Sequence, residues 1–232
     1  MITVRPHGER GHSRLNWLDS RHSFSFGDYA DPEHMGFSVL RVINEDRIAP
    51  GGGFPEHGHR DMEIITYVLE GELAHRDSTG NSRVIRAGEF QRMSAGSGIA
   101  HSEYNASATD PVHLLQIWIF PATKGLPPSY EQRPIGSARG GPTLQLVASP
   151  DAEAGVLKIH QDVRLYVLRL RPGETAALEL AAGRRAYAQV TNGAVGLNTE
   201  HLGPGDGAAL VRESRLSLVA VEPAELLLFD LP

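Results

Sequence analysis

Apolar residues along this 232-residue chain fall in short runs, each closed by glycine, proline or a polar cluster. Gly36–Ile43, Glu63–Leu69, Val84–Arg86, Val112–Phe120, Val163–Leu170, Ala186–Val190 and Leu216–Val221 all have this form. Runs of that length between turn residues predict β-strands, and long helical periodicity is missing. The 25 glycines and 15 prolines fit a chain of many tight turns, since glycine supplies positive φ and proline presets the turn. Helix is expected only for a turn or two, around Pro128–Gln132. The expected fold class is all-β.

The pattern also repeats. Pro50-Gly51 matches Pro172-Gly173 at an offset of 122, and without a gap Val68 then falls on Val190 and the turn glycine Gly71 on Gly193. A later pair, Ala87-Gly88-Glu89 and Pro204-Gly205-Asp206, extends the match. Two copies of one β unit explain this economically. Between them, Pro121 to Pro150 is rich in Pro, Gly, Ser and Ala, as a connection is. The expected division is a first domain over 1–125, a connecting segment over 126–150 and a second domain over 151–232.

Composition then narrows the chemistry. The chain has no cysteine, so a metal must sit on His, Asp or Glu, and thiolate nucleophiles, disulfides and Fe–S clusters are excluded. With 22 Lys+Arg against 28 Asp+Glu, the formal net charge of -6 gives no basic face for a phosphate backbone, which argues against direct nucleic-acid contact. The first ten residues lack the apolar core of a secretion signal. The most apolar late stretch, Leu216–Phe229, is broken by Glu222, Pro223 and Glu225, well short of the ~20 residues that span a bilayer. A cytoplasmic protein without a membrane segment is expected.

Of the eleven histidines, only His160 and His201 follow His113, so the first half carries the chemistry. His57-Gly58-His59 places two imidazoles two residues apart, on one face of a strand. His101-Ser102-Glu103 does the same with an imidazole and a carboxylate. Together they make a three-nitrogen, one-oxygen set suited to a divalent transition metal. Glu63 shares strand parity with its neighbouring histidines as Glu103 does, and pattern alone does not choose between them. His75, in His75-Arg76-Asp77, reads as a hairpin end. Phe54, Met62, Phe90, Met93, Ile99 and Trp118 are large apolar neighbours, divided between barrel core and pocket wall.

The two motifs, with Gly51 ahead of His57, Glu63 after His59, and Gly88, Gly98, His101 and Asn105 in order, resemble the paired signature of the cupin superfamily. The match is closer to one family within it. Trp17–Gly27, His57–Glu63, Tyr67–Glu72, His75–Ser78 and Met93–Glu103 resemble the pirins, densely over residues 10–130 and loosely beyond. That resemblance implies two tandem jelly-roll barrels, a bicupin, with iron in the first. It implies His57, His59, His101 and Glu103 as the ligands and leaves Glu63 to orient an imidazole. At the repeat offset His57 falls on Glu179 and His59 on Ala181. Counting from Gly88 onto Gly205, His101 falls on Leu218 and Glu103 on Ala220. The second barrel is therefore expected to hold no metal.

The resemblance implies Fe(II) as the ion, at a site whose ligand types also suit Mn, Co, Ni, Cu or Zn. It implies quercetin 2,3-dioxygenase activity, in which O2 opens a flavonol and carbon monoxide leaves. The partners are then a small planar aromatic substrate and O2, and the chain a monomer. Glu103 is the candidate base as well as a ligand. Animal pirins supply the alternative: a redox-sensing iron protein acting as a transcription co-regulator through protein contacts.

Overall fold

The computed structural model describes residues 1–136, 143–151 and 153–232, so residues 137–142 of the expected connecting segment lie outside the described residues. In chain order the strands of the first half are β1 (Ile2–Arg5), β2 (Gly11–Arg14), β3 (Leu18–His22), β4 (Leu40–Ile48), β5 (Gly53–His59), β6 (Glu63–Glu70), β7 (Glu72–Asp77), β8 (Ser82–Arg86), β9 (Glu89–Ser94), β10 (Ile99–Asn105), β11 (Val112–Ile119) and β12 (Ser129–Pro134). The rest are β13 (Thr143–Ser149), β14 (Leu157–Lys158), β15 (Arg164–Leu170), β16 (Thr175–Glu179), β17 (Arg185–Asn192), β18 (Val195–Leu197), β19 (Glu200–Leu202), β20 (Gly207–Val211), β21 (Arg215–Ala220) and β22 (Ala224–Leu231). The fold is two cupin-type jelly-roll barrels.

The unit that carries the histidines comprises Gly11–Ile135 with Asp151–Gln161. Its large antiparallel sheet runs β12-β9-β6-β11-β4-β3-β2 and its small sheet β5-β10-β7-β8. Leu73 and Ile85 of the small sheet pack on Leu18, Ile48, Val68, Val112 and Leu114 of the large one, closing one end of the barrel with an apolar core. Hairpin turns fix the register: Gly71, at φ 78°, joins β6 to β7, and a Cβ there would stand 2.7 Å from the Pro111 carbonyl oxygen.

The other unit comprises Met1–Arg10, Gly136–Pro150 and Asp162–Pro232. Its sheets run β1-β20-β17-β22-β15-β13 and β16-β21-β18-β19, the order of the first unit with each strand replaced by its repeat. The offset of 122 carries β6 onto β17 residue for residue. A continuous apolar cluster fills its interior, with Leu168, Ala188, Ala208, Leu218, Ala220 and Leu228 among its members.

Two expectations are corrected. Residues 129–134 form β12, paired on β9, instead of a helical turn, and the helix present among the described residues is a single 3-10 turn at His7–Glu9. The units are also not contiguous halves. Residues 1–10 group with the second unit, where Ile2–Arg5 pair antiparallel with Gly207–Leu210. No helix among the described residues is long and apolar enough to cross a membrane.

Candidate metal centre

Strands β5 and β10 pair antiparallel, with His57 opposite His101 and His59 opposite Ile99. A bulge after His101 shifts the register so that Glu103 meets Phe54. Gly53 begins the pairing, and its lack of a side chain lets β5 approach Glu103, whose carbonyl oxygen would lie 2.4 Å from a Cβ. Alternation then points His57, His59 and His101 to the same side. Their Nε2 atoms converge: His101 stands 3.0 Å from His59 and 3.1 Å from His57. Nδ1 of His57 lies 2.8 Å from the Pro55 carbonyl oxygen, which leaves Nε2 as the lone-pair nitrogen.

His59 and His101 are neutral near pH 7. Burial first, then the His57 ring, holds His59 down at about 4. Burial, then the His57 and His59 rings, holds His101 down at about 3. Neutral nitrogens meeting at 3 Å share either a proton or a cation. Two nitrogens each ~2.1 Å from one ion and cis to each other stand ~3.0 Å apart, so this donor set fits a transition metal without rearrangement.

Glu103 is 2% exposed. Thr66 Oγ1 donates to its Oε1 at 3.3 Å and the Gln116 amide to its Oε2 at 2.5 Å. Burial pushes the carboxyl up to about 7, against the Thr66 hydrogen bond, with the Asp46 charge assisting. Its oxygen, a nitrogen of His101 and a nitrogen of His75 all lie within 4.8 Å of one another, as do the ligand atoms of His57, His59 and His101. The two groups share His101. The structure thus brings His57, His59 and His101 into one tight group and sets Glu103 beside His101 in a second group with His75, with His57, His59, His101 and Glu103 lining one cavity.

The sequence expectation for His75 holds but is incomplete. It stands at the turn end of the β7–β8 hairpin, paired with Arg83, and is also a buried inward residue of β7, 1% exposed, opposite Glu103. Its Nε2 stands 3.1 Å from Asp77 Oδ2 and its ring 4.8 Å from that of Tyr130. The signal was present: His75 occupies the same strand parity as the buried Leu73. Glu63 is placed differently. The chain turns at Asp61, φ 50°, between β5 and β6, so parity with His59 does not carry across. Glu63 lies on the opposite face of β6 from Ile64 and Thr66, where its carboxylate accepts from Ser94 Oγ at 3.0 Å and the His160 backbone N–H at 3.2 Å. The imidazole it meets is that of His160.

A cavity of about 230 Å³ opens on the histidines and Glu103. Leu15, Leu18, Phe26, Phe54, Ile64 and Trp118 give it an apolar side. The Trp118 ring is edge-on to His59 at 4.9 Å and to Phe26 at 5.3 Å. Of the six large apolar residues singled out from the sequence, Phe54 and Trp118 line this cavity. Met62, Met93 and Ile99 pack behind the cavity wall in one core cluster with Ile64 and Trp118, and Phe90 stacks on Tyr67 at 4.1 Å.

Comparison with known proteins agrees with this geometry. A family model described as Pirin matches residues 3–119, and one described as the quercetinase C-terminal cupin domain matches residues 146–231. The quercetin 2,3-dioxygenase of Escherichia coli K12 is 52% identical over all of this chain and 99% of its own length. A pirin-like protein of Caulobacter vibrioides is 40% identical over 99% of each chain. The crystal structure of the bacterial pirin YhhW from Escherichia coli in complex with nickel(II) superposes with a TM-score of 0.96 at 51% identity, covering 100% of this chain and 99% of that one.

Proposed function

The chain belongs to the pirin family, and on that premise we propose that it is a metal-dependent dioxygenase that opens a flavonol such as quercetin with O2 and releases carbon monoxide. The observation that carries the proposal is the convergence of three imidazole nitrogens and a buried carboxyl on an apolar cavity with aromatic sides. The name of the Escherichia coli relative supports it.

In this proposal His57, His59, His101 and Glu103 hold one divalent ion, Fe(II) in the cell. When bound, the ion supplies Lewis acidity and the one-electron chemistry that reaction with O2 requires. The chain's own residues do the rest. Phe26, Phe54 and Trp118 receive a flat ring system and exclude water from it. Glu103 takes the proton of the flavonol 3-hydroxyl, a role suited to a carboxyl poised at about 7. A carboxylate accepts about four hydrogen bonds, so the donors Thr66 and Gln116 leave it acceptor capacity for this step. Glu103 is a ligand first and a base second. Both atoms of O2 are retained in the products, which are the ring-opened ester and CO.

The test is anaerobic loading with Fe(II) followed by quercetin in air, with metal content, O2 uptake and CO measured together. Turnover lost in His57→Ala and Glu103→Ala supports the enzyme. One equivalent of metal without turnover overturns it in favour of the redox-sensing binding protein. From the family resemblance we carry over a cytoplasmic monomer, which analytical ultracentrifugation checks for the oligomeric state.

A further inference from the structure

A row of polar side chains crosses the inner face of the large sheet in register: Gln91 on β9, Thr66 on β6, Gln116 on β11, Asn44 on β4 and His22 on β3. All five are buried. The repeat provides an internal control, because the second unit preserves this register. Thr66 opposite Gln116 becomes Ala188 opposite Leu228, Gln116 opposite Asn44 becomes Leu228 opposite Tyr166, and Thr66 opposite Gln91 becomes Ala188 opposite Ala208. Asp46, opposite Leu114, becomes Leu168, opposite Leu226. The same barrel therefore packs well with apolar residues at these positions, and burying polar ones costs stability unless they serve another end.

Part of the row already has a purpose. Gln91 donates to Thr66 at 2.7 Å, and Thr66 and Gln116 anchor Glu103. The remainder lies one to three strands further on, roughly 5–14 Å from Gln116 at the usual strand spacing. There Ser20 donates to the Asp46 carboxylate, and His22 meets Asn44 Oδ1 at 2.8 Å and Ser13 Oγ at 2.9 Å. These five residues line the same cavity as the metal-site histidines.

The geometry points to a distal hydroxyl-reading subsite, centred on Asp46 and supported by Ser20, His22, Asn44 and Ser13, that selects planar aromatics bearing a donor hydroxyl remote from the metal-chelating pair. This rests on the flavonol reading above and adds to it which flavonols are preferred. Asp46 accepts from the Ser20 hydroxyl and lines the cavity, and a carboxylate is acceptor-only with about four lone-pair sites, so a phenol brought against it makes a charge-assisted bond. A ligand with bare or methylated carbon at that end forgoes this bond and displaces solvent from the carboxylate.

The experiment compares quercetin with 3-hydroxyflavone, which keeps the chelating pair and carries no other hydroxyl. Both are measured on wild type, Asp46→Leu and Asp46→Asn, by KM in the Fe(II)-loaded protein and by quenching of tryptophan fluorescence in the protein as purified. Asp46→Leu places the residue the second barrel uses at this position, so it folds. Wild type is expected to prefer quercetin by about tenfold or more, the worth of a hydrogen bond to a charged group. Asp46→Leu brings the ratio close to one, and Asp46→Asn, which still accepts, keeps an intermediate ratio. A ratio that Asp46→Leu leaves unaltered in both readouts overturns the subsite. A wild type that binds quercetin selectively through Asp46 but turns over neither flavonol keeps the subsite and sinks the dioxygenase reading instead.

Discussion

Gln116 reaches from the central strand of the seven-stranded sheet to Glu103, its amide nitrogen 2.5 Å from Oε2. With Thr66 on the other oxygen, it fixes the plane of a carboxyl that strand β10 alone leaves free to rotate. Replacing it by leucine, as Leu228 stands in the second unit, removes that donor while preserving an apolar fit. Gln116→Leu is expected to fold with an unchanged far-ultraviolet spectrum and to hold the metal ~10–100-fold more weakly, the usual cost of losing a residue that orients a ligand. Titration against a competing chelator measures it, and an unchanged affinity would show that Glu103 needs no such support.

Glu63 separates two roles that its neighbourhood invites. Its carboxylate serves Ser94 and the His160 backbone on the face of β6 away from the cavity. Glu63→Leu is therefore expected to keep a full equivalent of metal while losing about 1–3 kcal/mol of stability, because a buried and a part-buried donor lose their acceptor. Metal analysis beside a denaturant titration distinguishes this from a ligand role, in which metal content would fall first.

Much of this was legible in the chain because it depends on local alternation. The repeat offset located β17 from β6, and one His/His pair and one His/Glu pair, each spaced by two residues, located the face that carries the site. What escaped depends on partners distant in sequence. His75 and Glu103 become neighbours only when β7 pairs with β10, and the amino-terminal strand finds its place against β20, more than 200 residues away. Ser129–Pro134, short and polar, resembles a helical turn until β9 supplies hydrogen bonds along one edge. Glu63 misled because parity was counted through a turn, where Asp61 with positive φ resets it.

Asp77 ties the β7–β8 turn together. It accepts from the Thr79 backbone N–H and hydroxyl, from Asn81, and meets His75. Burial alone would raise its carboxyl, but the Thr79, His75 and Asn81 contacts outweigh burial and hold it at about 2 against an ordinary 3.8. A folded pKa below the unfolded one means that this contribution is complete above the unfolded value and is lost as pH falls through the folded value. The stability difference between wild type and Asp77→Asn is expected to be constant above pH 3.8 and to shrink toward pH 2. Denaturant titrations of both proteins across that range check it, and a difference that grows on acidification contradicts the assignment.

Gly53 is where the site depends most directly on the absence of a side chain. It starts β5, the strand that presents His57 and His59, and pairs with Tyr104 beside Glu103. A Cβ there would meet the Glu103 carbonyl oxygen at 2.4 Å and the Tyr104 Cα at 2.6 Å, both backbone atoms that cannot step aside. The strands must then separate at the end where the bulge lies, and the motion displaces His57 relative to its cross-strand partner His101. Gly53→Ala is expected to lose both stability and metal, whereas Gly58→Ala, also on β5 but with its Cβ no nearer than 3.9 Å to the Ile99 carbonyl oxygen across the pairing, keeps both. Metal content and thermal unfolding of the pair measure this. Equal behaviour would mean that β5 and β10 tolerate separation, and that the close strand pairing is not what holds the imidazoles together.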